Sequence, residues 1–131
     1  MNVQHLIDEV RANSGVTVDI NTGDMVADGF IVATEGNTLS VPYTGFVGED
    51  GQSIVSSYID AHRAALSSTG RHLGVWHDVD NSMIVLDVVE RVRMREEVIE
   101  LAIERNQRAI YDVDNGVVIE ARPESITDNS R

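Results

Sequence analysis

The chain contains no cysteine and no lysine, and each absence removes a class of chemistry. Without cysteine it cannot form disulfides, use a thiol nucleophile or build a cysteine-based zinc or iron–sulfur site. Without lysine it cannot form a Schiff base, and it lacks the lysine with which a P-loop binds phosphate. The ten basic residues are all arginine and are outnumbered by 22 acidic residues, which gives a formal net charge of -12. This charge disfavours nucleic acids and anionic membranes as partners.

Aromatic residues and long apolar runs are also scarce. One tryptophan, three tyrosines and two phenylalanines are scattered along the chain, which does not indicate base stacking on RNA or single-stranded DNA. No apolar run approaches the length of a bilayer span, and the first residues lack the basic-then-apolar profile of a signal peptide. We therefore expect a cytoplasmic protein that binds neither a membrane nor nucleic acid directly.

The residues that are present suffice for one domain. A length of 131 residues can bury a sizeable core without a disulfide or a metal. The last ten residues contain too few apolar side chains to pack. We predict a single domain over residues 1–121, followed by a flexible C-terminal tail at residues 122–131.

Hydrophobic periodicity predicts three helices and seven strands. The helices are expected at residues 2–13, 53–66 and 96–106, and the strands at 16–20, 30–34, 39–43, 71–78, 83–91, 108–113 and 116–121. Short turns separate the first three strands, which predicts a β-meander, whereas the last four strands predict two hairpins. Because helices interrupt antiparallel hairpins, we expect an α+β fold with about three helices packed on a mostly antiparallel sheet.

Three glycines between residues 44 and 52 have a spacing that superficially matches a nucleotide-binding loop. They are Gly45, Gly48 and Gly51. A phosphate loop needs backbone amides in a neutral or positive field, and Glu49 and Asp50 put two anions where the phosphate would lie. We interpret the segment as a flexible connection.

The tetrapeptide Asp-Val-Asp-Asn occurs twice, at residues 78–81 and 112–115. Asp and Asn tolerate the left-handed backbone of tight turns, and Ser82 or Gly116 completes each turn. The second copy looks like a fragment of a calcium loop, but its glycine is fifth rather than sixth, and Pro123 stands where the twelfth-position glutamate should be. We therefore predict two hairpin turns, no metal site and no cofactor.

The length of the first turn decides which side chains share a face of the sheet. If two or four residues close it, strand alternation places seven residues together: His72, Gly74, Trp76, Asp78, Val85, Asp87 and Val89. Asp87 lies on a central apolar strand, so its carboxylate needs a hydrogen-bond donor, which His72 or the indole N–H of Trp76 could supply. A turn of odd length would separate these residues.

Three interpretations of this cluster stay open. It is a structural hydrogen-bond pair, a binding face formed by Trp76, Asp87, His72 and Asp78, or a catalytic pair of His72 and Asp87. A histidine oriented by a carboxylate is the minimum for acid–base catalysis, but two residues fall short of a mechanism. No serine stands in a Gly-x-Ser-x-Gly elbow. Solvent exposure of Trp76 would mark an interaction site, whereas burial would make it core.

Residues 74–119 resemble a segment of small uncharacterised proteins encoded by high-GC actinobacteria and their phages. The resemblance rests on Gly74-Val75-Trp76, Asp78, Leu86-Asp87-Val88, Glu97, Ala102, Arg105-Asn106-Gln107, Ala109-Ile110-Tyr111-Asp112 and Gly116, with Asn21-Thr22-Gly23 and Gly29-Phe30 upstream. It implies a phage or host accessory protein, located in the host cytoplasm if the chain is phage-encoded. It implies no catalytic residues.

Three hypotheses for function follow. The first is a non-enzymatic accessory protein that binds an unknown protein partner through Trp76 and Asp87, and a homo-oligomer is compatible with it. The second is an acidic mimic of nucleic acid that occupies the basic groove of a DNA- or RNA-binding protein. Such a mimic should carry its carboxylates in a row without arginine partners: Glu96, Glu97, Glu100 and Glu104. The third is a small enzyme using His72 and Asp87, which requires a pocket containing both.

Overall fold

The computed structural model describes residues 1–122 of the protein. Its helices are α1 (Val3–Asn13), α2 (Tyr43–Val47), α3 (Gly51–Ala61), α4 (Arg63–Leu66) and α5 (Arg95–Glu104). Its strands are β1 (Gly15–Val18), β2 (Phe30–Ala33), β3 (Leu39–Pro42), β4 (Arg71–Asp78), β5 (Met83–Val92), β6 (Ala109–Asp112) and β7 (Val117–Glu120). Apart from Arg122, the predicted tail lies outside the described residues. No helix among residues 1–122 combines the length and apolar character that a membrane span requires.

The seven strands form one sheet, in which every pairing is antiparallel. The order is β1-β4-β5-β2-β6-β7, and β3 also pairs with β5. The central strand is β5, which has β4 along one edge and both β2 and β3 along the other. Its residues from Ile84 to Val89 are all buried, as expected for a near-continuous apolar strand with neighbours on both sides. The prediction of an α+β fold with a mostly antiparallel sheet is confirmed.

The predicted β-meander of the first three strands is wrong. β1 pairs with β4, whereas β2 and β3 pair with β5 one after the other along the same edge. β5 has ten residues, so it accommodates two four-residue strands end to end. The pairing follows the long apolar strand rather than the short turns, because cross-strand side-chain contacts stabilise a sheet more than its connections do.

The segment predicted as a flexible connection contains α2 and the start of α3, so that prediction is also wrong. Phe46 of α2 is fully buried and fixes the segment against the core. A Cβ at Gly51 would lie only 2.0 Å from the carbonyl oxygen of Phe46, which explains why glycine stands there. With α4 as a further short helix, the described residues form five helices rather than about three.

All five helices pack on the same face of the sheet, which we call the helix face. The larger core joins α1 to α4 with β4 and β5, and its members include Leu6, Phe46, Val55, Leu66, Leu73 and Leu86. The smaller core joins α5 with β2, β5 and β6 through Val32, Val92, Val98, Ile99, Ala102 and Ile110. Each of these valine, leucine, isoleucine and phenylalanine side chains contributes about 1.5–3 kcal/mol through its burial. The opposite face of the sheet carries no helix in the described part of the chain.

The first copy of Asp-Val-Asp-Asn forms the predicted hairpin turn. Asp78 pairs with Met83, so four residues close the hairpin between β4 and β5. The carboxylate of Asp78 accepts a 2.8 Å hydrogen bond from the side chain of Asn81. Ser82 takes the left-handed position with φ of 53°. Because the loop length is even, the faces of β4 and β5 are those that alternation predicts.

The second copy repeats this turn between β6 and β7. Asp112 pairs with Val117, and its carboxylate accepts a 2.6 Å hydrogen bond from the side chain of Asn115. Gly116 occupies the left-handed position with φ of 65°. Both predicted hairpins are therefore confirmed.

Candidate functional site

Between β2 and β3 the chain bulges beside the middle of β5. Ala33 pairs with Val89, and Leu39 pairs with Leu86. Between these two pairs, residues 34–38 face only residues 87 and 88 of β5, so three residues are extra. We call residues 34–38 the bulge. A bulge interrupts regular pairing and re-aims side chains, and this one brings polar groups into the centre of an apolar sheet.

Side chains of the bulge hold its backbone in place. Thr34 donates from both its N–H and its hydroxyl to the carbonyl oxygen of Val88, each at 2.9 Å. The side-chain amide of Asn37 donates to the Thr34 hydroxyl at 2.9 Å. Gly36 supplies the turn with φ of 79°. The conformation of the bulge is thus fixed by hydrogen bonds that its own side chains make.

Asp87 lies beside the bulge and is only 7% exposed. Its Oδ1 accepts a 2.5 Å hydrogen bond from the hydroxyl of Thr38. Burial raises the pKa of the Asp87 carboxyl, and the bond from Thr38 offsets only part of the rise. The carboxylate is therefore a buried anion that its surroundings compensate incompletely.

Tyr58 of α3 reaches the same bulge from the helix face. Its hydroxyl donates to the carbonyl oxygen of Asn37 at 2.5 Å, and its ring packs on His62 with centroids 4.3 Å apart. Burial raises the pKa of Tyr58 well above its ordinary value, and the Asp87 carboxylate raises it further. Asp87 acts on Tyr58 although the register places the Asp87 side chain on the opposite face of the sheet.

The face opposite the helices, which we call the open face, carries all four predicted binding residues. They are His72, Trp76, Asp78 and Asp87. The register pairs His72 with Val89, Gly74 with Asp87 and Trp76 with Val85, as alternation predicts. Neither core contains a strand residue from this face.

Small aliphatic residues on the open face lie directly across from longer side chains. Val85 lies opposite Trp76, and Val89 lies opposite His72. Cross-strand neighbours have Cβ atoms about 5 Å apart, so a long side chain can fold over a short one. Both valines are buried although no helix of the described residues lies above them. The connection between β1 and β2 also reaches this face, since Arg91 donates to the carbonyl oxygen of Asp28.

Trp76, on the open face, is 47% exposed. Its neighbour on β1 is Gly15, which leaves the indole uncovered from that side. A Cβ at Gly15 would lie 3.3 Å from the Cβ of Trp76, which is tighter than usual. By the criterion given above, solvent exposure makes Trp76 a candidate interaction residue rather than a core residue.

Gly74 lies directly across from Asp87, and both residues are buried. The carboxylate therefore has no β4 side chain directly across from it. A Cβ at Gly74 would lie 2.8 Å from Cγ1 of Val89, so the Val89 side chain occupies the space beside Gly74. Trp76 and His72 flank Gly74 along β4 at spacings of two.

His72 and Asp78 contribute less than the two central residues. His72 is half-buried, and its Nδ1 has no hydrogen-bond partner among the described residues. Burial lowers the pKa of His72, with the Asp19 carboxylate opposing the change and Arg91 adding to it. Asp78 is engaged with Asn81 and belongs to the turn.

The expectation that His72 or Trp76 donates to Asp87 is wrong, since Thr38 takes that place. The expectation treats residues 35–37 as a simple turn between adjacent strands, whereas the bulge carries Thr38 to the edge of β5. Asn37 and Tyr58 are missed for the same reason. The available signal is the pair of threonines that flank Glu-Gly-Asn, because hydroxyls at both ends of a glycine turn can bond the neighbouring strand.

Within residues 1–122 no three His, Asp or Glu side chains come together to hold a metal ion. Two cavities of this part of the chain have linings that include neither His72 nor Asp87. On the open face, the exposed indole of Trp76 lies two residues along β4 from Gly74, the cross-strand partner of Asp87. No family model, curated protein or solved structure matches the chain.

Proposed function

We propose that the protein is a non-enzymatic accessory protein that binds another protein through the open face, with a cationic side chain of the partner seated between Trp76 and Asp87. The observation that carries the proposal is the exposed indole on a sheet face without helices among the described residues. Tryptophan is enriched at the energetic centres of protein interfaces. A partner that covers Trp76 would remove this apolar surface from water.

Asp87 indicates that the anchor of the partner is a cation. Its carboxylate is buried beside Gly74 and receives a hydrogen bond from Thr38, yet its pKa remains raised. An arginine or lysine placed beside Gly74 and Trp76 would pair with this carboxylate and lie against the indole at the same time. A desolvated cation–π contact contributes about 2 kcal/mol, and the ion pair adds selectivity against neutral side chains.

The charge of the whole chain supports a basic partner. With a net charge of -12, the surface attracts positively charged proteins and repels acidic ones, including a second copy of this chain. The resemblance of residues 74–119 to small proteins of actinobacteria and their phages supports an accessory role in a bacterial cytoplasm. The partner we expect is therefore a basic protein of the host cell.

Affinity capture with three forms of the full chain tests the proposal. The baits are wild type, Trp76→Ala and the control Met94→Ala, whose side chain is 62% exposed in the connection to α5. We expect one basic protein to be retained by wild type and Met94→Ala and lost from Trp76→Ala. With that protein purified, Asp87→Asn should lower its affinity about tenfold or more. A protein retained equally by all three baits would place the interface elsewhere and contradict the proposal.

The acidic mimic is a second candidate, because one observation favours it. Glu96, Glu97, Glu100 and Glu104 are exposed on α5, and none of them is paired with arginine in the described part of the chain. Three of the four are spaced by four residues, which sets carboxylates about 6 Å apart along the helix. This is the row that a mimic requires.

Competition for a captured basic protein separates the two candidates. If the protein is a mimic, adding duplex DNA should displace it from the captured partner, and changing the four α5 glutamates to glutamine should abolish binding. If the open face is the interface, Trp76→Ala abolishes binding and the glutamine variant retains it. The two variants lie on different elements, so each result assigns one surface.

An enzyme using His72 and Asp87 has the least support. The two residues share the open face, but their cross-strand partners are Val89 and Gly74 rather than each other. Asp87 is bound by Thr38, and the carboxylate that acts electrostatically on His72 is that of Asp19 rather than that of Asp87. A measurable reaction lost in both His72→Gln and Asp87→Asn would restore this hypothesis.

A further inference from the structure

We propose that the groove between α3 and the outer edge of β3 binds an extended segment of a partner polypeptide, which joins the sheet as a strand next to β3. This groove is on the helix side of the sheet, so the inference is independent of the Trp76 surface. Its volume is about 460 Å³, and its lining includes Leu39, Val41, Ile54, Ser57, Ala61 and His62. Gly36, Asn37 and Thr38 of the bulge also belong to the lining.

The outer edge of β3 has backbone groups to offer. Among the described residues, β3 pairs only with β5. The N–H of Tyr43 donates to the carbonyl oxygen of Ser82 at 3.0 Å, which continues the register of the two strands. In an antiparallel ladder, alternate residues direct both N–H and C=O to the same neighbour. Val41 therefore faces β5, and Ser40 presents its N–H and its C=O outward.

Pro42 is the next outward-facing position, and it supports this assignment. Proline is tolerated in an edge strand where its missing N–H would face away from the sheet. It also limits strand addition, because an incoming strand can donate to the carbonyl of Pro42 but finds no amide there. Proline commonly protects an edge strand from pairing with another chain. In β3 it protects the end at Pro42, whereas the backbone of Ser40 can still pair with an added strand.

The walls of the groove suit the alternating side chains of an extended peptide. Leu39 is 39% exposed, and both Leu39 and Val41 point to the helix face. Ile54 and Ala61 of α3 lie in the same lining. Because every second side chain of a strand points the same way, a docked segment would place small or aliphatic side chains into the groove.

The charges in and around the groove indicate which kind of peptide segment can bind there. The lining contains no Asp, Glu or Arg, so side chains that enter the groove are uncharged. Glu35 is exposed in the bulge at one end, and no described residue forms an ion pair with it. With the chain at -12 overall, the complementary occupant is a segment with aliphatic residues at alternate positions and an arginine or lysine near Glu35.

Peptide selection on the full chain tests the inference. Phage-displayed random dodecapeptides are panned on the wild-type protein, and an enriched peptide is synthesised with a fluorescent label for anisotropy. We expect enriched peptides with alternating aliphatic residues and a net positive charge. Binding should slow hydrogen exchange of the Ser40 amide, since that N–H becomes bonded to the peptide.

Two pairs of variants locate the binding. Ser40→Pro removes the outward N–H without touching a bond to β5, and Ser40→Ala keeps that N–H. Ser57→Gln fills the groove, and Ser56→Gln makes the same change at an exposed position outside the lining. We expect affinity to fall about tenfold or more in the first member of each pair and to stay unchanged in the second.

Three results would overturn the inference. The first is that no peptide is enriched, and the second is that Ser40→Pro binds the peptide as tightly as wild type does. The third is that Trp76→Ala loses peptide binding while Ser57→Gln retains it. A wild-type dimer that becomes monomeric in Ser40→Pro would show that the occupant of the edge is a second copy. Because Trp76→Ala is not expected to affect the peptide, failure of this inference and failure of the proposed function are separate outcomes.

Discussion

The buried negative charge of Asp87 lowers the stability of the folded protein. Its carboxylate is buried on the central strand, and Thr38 donates a hydrogen bond to it. Because burial raises its pKa, the folded protein holds a proton on this carboxyl more tightly than the unfolded chain does. Stability therefore falls as pH rises from the ordinary aspartate pKa, about 3.9, through the raised one. A buried carboxyl with a raised pKa fits the binding role that we propose for Asp87.

Asp87→Asn should stabilise the protein by about 1 kcal/mol at pH 7 while weakening partner binding. The amide keeps an oxygen for the Thr38 hydroxyl and removes the buried charge. The gain should shrink as the pH falls toward about 4, where the wild-type carboxyl becomes protonated in both states. Urea unfolding followed by circular dichroism across this pH range measures the difference.

The control for this prediction is Asp80→Asn, a change at an exposed aspartate of the neighbouring turn. Because Asp80 is exposed, we expect the free energy of unfolding of this variant to stay within about 0.5 kcal/mol of wild type. If Asp87→Asn is less stable than wild type at neutral pH, the carboxylate supports the fold and its retention says nothing about binding.

Tyr58→Phe should destabilise the protein by about 1–2 kcal/mol, because the carbonyl oxygen of Asn37 loses its donor in a buried position. Tyr111→Phe is the matched control, since the Tyr111 ring is exposed on β6. Chemical denaturation of both variants checks the prediction. Equal stability of Tyr58→Phe and wild type would mean that the bulge does not depend on α3.

At the residue scale, the shared face of Trp76 and Asp87 could be predicted from the sequence, because alternation and an even turn determine it. The exposure of Trp76 could not, since it depends on which face the helices cover. The donor to Asp87 could not either, because Thr38 is 49 residues away in the chain. Its position depends on the three-residue excess in the bulge, which appears only when β2 and β3 are placed on the same edge of β5.

At the scale of elements, the repeated turn gives a paired test of backbone conformation. Ser82 and Gly116 occupy the same position in the two copies, with φ of 53° and 65°. The left-handed conformation costs a non-glycine residue about 1 kcal/mol. Ser82→Gly should therefore stabilise the protein by about 0.5–1 kcal/mol, and Gly116→Ser should destabilise it by about as much.

Thermal unfolding of these two variants and of the double variant measures both effects. Because the turns are in different hairpins, we expect the two changes to add and nearly cancel in the double variant. Stabilisation by Gly116→Ser, or the same sign for both single variants, would contradict the equivalence of the two turns.

Sequence signals predicted an element correctly where all the residues that form it are close together in the chain. Asn2 caps α1 by accepting a 3.1 Å hydrogen bond from the N–H of His5, as a cap at that position should. The two hairpins follow from their turn residues. The strands that pair with β1, β2 and β3 could not be predicted from the turns. Which strand pairs with β4 and which with β5 depends on contacts between segments that are distant in the sequence. Helix α2 is missed because it has only five residues, contains Gly45 and ends at Gly48, and because Phe46 is its one fully buried side chain.

At the scale of the whole molecule, the charge of -12 should govern the rate at which the partner binds. Raising the ionic strength from low to physiological values should lower the association rate constant by about tenfold or more, because steering between opposite charges is screened. The dissociation rate constant should change less. Surface plasmon resonance at several salt concentrations measures both constants, and an association rate that is independent of salt would contradict a basic partner.

The intrinsic fluorescence of Trp76 provides the most direct test, because it is the only tryptophan in the chain. In the free protein its emission should be quenched by iodide, as expected for a half-exposed indole. Titration with the purified partner should shift the emission to shorter wavelength and remove the quenching. If a second method shows saturated binding while emission and quenching stay unchanged, the partner does not cover Trp76 and the open face is not the interface.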